Sequence, residues 1–121
     1  MKVKCYRELI VWQKAMQLVK EIYLLTKMLP KDEVYGLSSQ MRRAAVSIPS
    51  NIAEGQERNS TKEFINFLSI ARGSKAELET QLEICIEIGY FTMLDAENAF
   101  SLSDEISKIL SSLTQKLVAS G

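Results

Sequence analysis

The sequence contains no histidine, two cysteines, two prolines and one tryptophan in 121 residues. Without histidine it lacks the usual general base near neutrality, the common pH switch and the most frequent metal ligand. Cys5 and Cys85 stand far apart in the chain, so no paired spacing suggests a zinc site or a redox dithiol. No apolar run approaches the roughly 20 residues of a membrane-crossing helix, and the segment from Met1 to Glu8 carries no apolar leader region, so a cytoplasmic protein is expected. No stretch alternates at period two, and there is no hairpin signal, low-complexity tract or internal repeat. A single domain over residues 1–121 is the expected organisation, long enough to bury about two thirds of its unfolded surface.

What is present is helical periodicity. Val11, Ala15, Leu18, Ile22, Leu25 and Leu29 recur at alternating steps of four and three, one side of a first helix over about 8–29. A second line, Trp12, Met16, Val19 and Tyr23, widens that apolar sector beyond what one packed face requires, and it is the candidate oligomer interface. Pro30 closes the helix. Leu37, Met41, Ala44, Ile48 and Ile52 define a second helix over about 36–57 whose stripe passes Pro49 in phase. This favours one helix kinked at Pro49 over a stop and restart there, with Ser47 and Ser50 as hydroxyls able to offset the lost backbone bond.

Ser60 to Glu63 reads as a capping box. It opens a third helix over about 61–88 that carries Phe64, Phe67, Ala71, Ser74, Leu78, Gln81, Cys85 and Ile88 and ends at Gly89. Thr92 with Asp95 offers a capping pair for a fourth helix over about 93–118, with Leu102, Ile106, Ile109, Leu113 and Leu117 inside. Short connections make successive helices antiparallel neighbours, so the expected fold is an all-α, up-down-up-down four-helix bundle.

Little in this pattern carries chemistry. A di-iron bundle site needs histidine, which leaves a carboxylate-only set of Glu54, Glu77 and Glu79 as the metal alternative to solvated or ion-paired glutamates. Gly55 and Gly73 stand alone without a phosphate-cradling motif. Serine has no histidine to activate it, and no catalytic residue, metal or cofactor is expected. The segment Ser47-Ile48-Pro49-Ser50-Asn51-Ile52-Ala53-Glu54-Gly55 concentrates small and helix-interrupting residues. It reads either as close packing of the second helix on the third, with Asn51, Glu54 and Gln81 bonded internally, or as a ligand-sized notch lined by Asn51 and Glu54.

Charge is balanced overall, with 15 side chains of each sign, but not along the chain. Residues 1–75 hold 13 basic and 7 acidic side chains, and residues 76–121 hold 2 and 8. A stripe on the third helix runs Arg72, Lys75, Glu79, Glu83, Glu87, its acidic end at the pole where the macrodipole disfavours it. Arg42 and Arg43, or a neighbouring subunit, are expected to meet it. Arg42, Arg43, Arg58, Lys62, Arg72 and Lys75 form the candidate nucleic-acid patch, although no RNA- or DNA-binding motif accompanies them.

Three segments resemble a known family: residues 9–15 (Leu-Ile-Val-Trp-Gln-Lys-Ala), residues 35–55 around Ser47, Pro49, Asn51, Glu54 and Gly55, and residues 73–82 with Gly73, Glu77 and Gln81. These resemble the four-helix-bundle proteins encoded in intervening sequences of bacterial 23S rRNA genes. The resemblance implies a homopentameric ring, with the second helix running through its proline and an oligomer interface covering the extra apolar line. A related branch resembles accessory proteins of diversity-generating retroelements, whose basic pentamers bind a reverse transcriptase and nucleic acid, whereas this chain is neutral. The expected function is a non-enzymatic oligomeric scaffold engaging RNA or a ribonucleoprotein, with a pure protein-interaction module as the alternative. No membrane or small-molecule partner is expected.

Overall fold

A computed structural model of the chain describes residues 5–120, so the leader reading at residues 1–4 lies outside the described part. The elements are a 3-10 turn (Tyr6–Glu8), α1 (Ile10–Thr26), a second 3-10 turn (Lys31–Glu33), α2 (Leu37–Gln56), α3 (Thr61–Ile88) and α4 (Glu97–Ser120). The fold is an all-α four-helix bundle. α1 packs on α2 and α4, and α3 packs on the same two, with α2 on α3 the most extensive pairing.

Cross-helix contacts run in reverse order along each neighbouring pair. Met41 near the start of α2 meets Cys85 near the end of α3 at 3.5 Å, while Gly55 at the other end of α2 lies under Phe64 and Phe67 at the start of α3. Thr26 at the end of α1 meets Arg42 at the start of α2. Neighbouring helices therefore lie antiparallel.

The interior is the predicted stripes of α1 and α2 meshed with a shifted face of α3, where Leu68 and Leu82, outside the expected stripe, are fully buried and Phe64 and Phe67 are only half-covered. Leu18, Ile22, Met41, Ile48, Ile52, Leu68, Leu78, Leu82, Ile106 and Leu110 are fully buried, each contributing about 1.5–3 kcal/mol of apolar transfer. α4 differs from the expected stripe: Ala99, Ser103, Ile106 and Leu110 are buried, while Leu102, Ile109, Leu113 and Leu117 are half-covered. Ile88, expected inside, is exposed, and Ile86, Tyr90 and Phe91 pack on the core there instead.

The helix ends follow local chemistry. Glu63 N–H donates to the Ser60 hydroxyl at 3.1 Å, and Gly89 ends α3 at φ 93°, where its own N–H and that of Tyr90 both reach Cys85 O. α1 begins later than the periodicity predicts, because Leu9 is extended between the first 3-10 turn and Ile10. It also stops three residues before Leu29, so the chain leaves the helix before Pro30 can force it out. At α4 the Thr92–Asp95 pair is made reciprocally, with Thr92 N–H on Asp95 Oδ2 at 2.9 Å and Asp95 N–H on Thr92 Oγ1 at 3.1 Å. It closes a single turn, and the regular helix follows from Glu97.

α2 is one helix through Pro49, which removes the stop-and-restart alternative. Neither serine plays the expected compensating part: Ser50 is exposed, and the Ser47 hydroxyl turns to Ser74 on α3, 2.8 Å away.

Candidate interaction surfaces

The six basic residues expected to form one patch have different employments. Arg42 donates from Nε to Thr26 Oγ1 at 2.9 Å, and its guanidinium lies over the Tyr23 ring, 4.5 Å from the centroid. It thus serves the α1–α2 contact and turns away from the acidic stripe of α3 that it was expected to meet. Arg58 pairs with Glu54 at 2.8 Å and covers Phe67. Lys75 reaches both oxygens of Glu79 at 3.2 Å in a largely covered site, and Ser103 of α4 donates to the same carboxylate. Arg43, Lys62 and Arg72 are exposed, with no carboxylate partner among the described residues. Along α3, Lys62 and Arg72 are roughly 15 Å apart and about 80° around the helix. Arg43 lies towards the opposite end, level with the last turns of α3.

The small-residue segment serves packing. Asn51 donates from Nδ2 to Ser47 O at 2.8 Å and to Ser47 Oγ at 2.9 Å, and Ser47 meets Ser74, forming a polar seam between α2 and α3. Gln81 is buried and donates to Glu77 at 3.3 Å, leaving its Oε1 unpartnered. Glu54 departs from the expected internal bonding. It is exposed and held by Arg58, so it neither bonds internally nor lines a notch. Glu54, Glu77 and Glu79 each have a different partner, and among the described residues no three His, Cys, Asp or Glu side chains group to hold a metal.

The second apolar line of α1 does line a surface. Trp12, Met16 and Val19, with Tyr6 edge-on to Trp12 at 5.4 Å, form one wall of an open groove of about 320 Å³, and Val46, Pro49, Ser50 and Ala53 of α2 form the other. Tyr23 lies one turn further along α1 under Arg42. The α2 wall was not foreseen because the segment holding Ser50 and Ala53 pointed to packing on the third helix or to a notch, and Val46 lies outside the stripe carrying Ile48 and Ile52. Their 3-and-4 spacing with Pro49 was the available signal.

Two loops are clamped at the opposite end. Tyr90 donates to Glu33 Oε2 at 2.7 Å while Leu37 N–H donates to Glu33 Oε1 at 3.1 Å. The phenol and the amide hold the Glu33 carboxyl below the usual carboxylate range, and the same bond holds Tyr90 above its ordinary value. Burial pushes the Cys85 thiol up to about 11, with the Glu33 charge adding to it.

The family model of 23S rRNA-intervening sequence proteins matches residues 7–112. The chain belongs to this family. A solved structure of a protein of unknown function from the S23 ribosomal protein family of Bacteroides thetaiotaomicron superposes with a TM-score of 0.80 at 33% identity, covering 87% of this chain and 98% of that one. No curated protein matches. Of the segments that carried the resemblance, residues 9–15 give Trp12 to the α1 wall of the groove, residues 35–55 give its α2 wall and the Ser47–Asn51 seam, and residues 73–82 give Ser74, which meets that seam. None of the helices described is long and apolar enough to cross a membrane.

Proposed function

We propose that this 23S rRNA-intervening sequence protein is a non-catalytic scaffold that works through self-association, its α1–α2 groove seated against another copy of the chain. The observation that supports the reading is the groove itself: Met16 and Val46 are exposed, and Trp12 and Val19, packed on the core by one side, leave apolar surface open beside Ala53. A homopentameric ring, which the resemblance implies, would cover it five times over. Met16→Glu with Val46→Glu tests this at two exposed sites. We expect the purified variant to keep its helix content and lose assembly mass. Unchanged mass would contradict the reading.

RNA binding is the second reading, supported by Arg43, Lys62 and Arg72, whose charges no carboxylate offsets. Three phosphate contacts per protomer give a slope of log affinity against log salt of about −2 to −3. Absence of binding to rRNA-derived and generic RNA at about 50 mM salt would leave the pure protein-interaction module.

A further inference from the structure

At the pole where α3 ends and α4 begins, Met93 and Leu94 are 53% and 77% exposed. With half-buried Phe100 they line a shallow apolar groove of about 570 Å³ whose remaining walls are Ser101 and the carboxylates of Glu97 and Asp104. Neither carboxylate has an ion-pair partner among the described residues. The nearest cation on α4, Lys108, comes one turn after Asp104. It shares no lining residue with the groove between α1 and α2, and the two are separate.

We propose that this groove docks a cationic amphipathic segment of a partner protein. Glu97 and Asp104 stand seven residues apart, two turns and roughly 10 Å along α4, which matches lysines or arginines seven apart on a docked helix. Phe100 between them, with Met93 and Leu94 in the turn just before Glu97, offers the apolar surface on which the partner's leucine face would rest. Bare apolar surface would attract any hydrophobic segment. The acidic flanks repel acidic ones and favour basic ones, which gives the site its sign.

The probe is a synthetic 18-residue leucine/lysine amphipathic helix, with a leucine/glutamate helix of the same pattern as its counterpart, titrated against the full chain. We expect the lysine peptide to bind and the glutamate peptide not to. Leu94→Ser should weaken binding about tenfold, the loss of one central anchor. Glu97→Lys with Asp104→Lys should abolish binding of the lysine peptide and confer binding of the glutamate peptide, with native mass unchanged. Lysine-peptide binding that is indifferent to both variants would overturn the proposal. So would a change of native mass in either variant, since that would make the groove a contact between copies. Because both sites are exposed, circular dichroism of the variants should match the parent, and the exchange of peptide preference cannot arise from misfolding.

Discussion

Gly55 and Gly73 pose the same substitution in opposite surroundings. A Cβ on Gly55 would stand 2.6 Å from Phe67 Cβ and 3.0 Å from Phe64 Cδ1, whereas one on Gly73 meets nothing within 4 Å. Gly55→Ala should therefore destabilise by about 1–3 kcal/mol through overpacking, and Gly73→Ala should stabilise by about 0.5–1 kcal/mol through helix propensity alone. Urea unfolding of the pair reads both signs. Glu33 gives a pH dependence. Its folded pKa is depressed, so the stability it contributes is present above the unfolded value of about 4.3 and is lost as pH falls through the folded value. Glu33→Gln should flatten the acid limb of a stability-against-pH curve below about pH 5. Tyr90 works at the other extreme: held above its ordinary value, it contributes below about pH 10 and loses that contribution as pH rises through the folded value. In thiol titration with a disulfide reagent, Cys85 should react only after denaturant is added, since it is buried and its thiol is held up to about 11.

Helix pairing depends on side chains that sequence periodicity does not order. The Ser47–Ser74 bond and the Asn51 amide form the polar seam of the α2–α3 pair, so Ser47→Ala should cost about 1–3 kcal/mol by leaving the Ser74 hydroxyl partnerless, while Asn51 keeps its bond to the backbone oxygen of residue 47. Adding Ser74→Ala should cost less than the sum of the two single changes, and a double-mutant cycle in chemical denaturation measures that coupling. Much at this scale was legible in the sequence. The stripe through Pro49 foretold an unbroken α2, and Ser60 with Gly89 marked both ends of α3, because capping and propensity act within a few residues. What was not legible depends on neighbours. The direction of Arg42 was unreadable because the competing partners, Tyr23 and Thr26, lie on another helix. The α4 register slipped toward Leu102 and Leu113 because small Ala99 and Ser103, which admit close approach, carry no hydrophobic signal.

The whole molecule has more apolar face than one copy can cover. One groove opens between α1 and α2 and another at the start of α4, while the charges that looked like one basic patch divide between internal pairing and three separated surface cations. The excess on α1 was readable as a second line of residues, since it needed only helical geometry. The acidic apolar groove was not, because Met93 and Leu94 sit in a connection and join Phe100 only through the turn that Thr92 and Asp95 close. Self-association through the α1–α2 groove has a direct physical readout. Native mass spectrometry at micromolar concentration should give a single multimer, five times the 13.7 kDa protomer for the ring, falling to one protomer for Met16→Glu with Val46→Glu. A parent protein that flies at 13.7 kDa under the same conditions would contradict it.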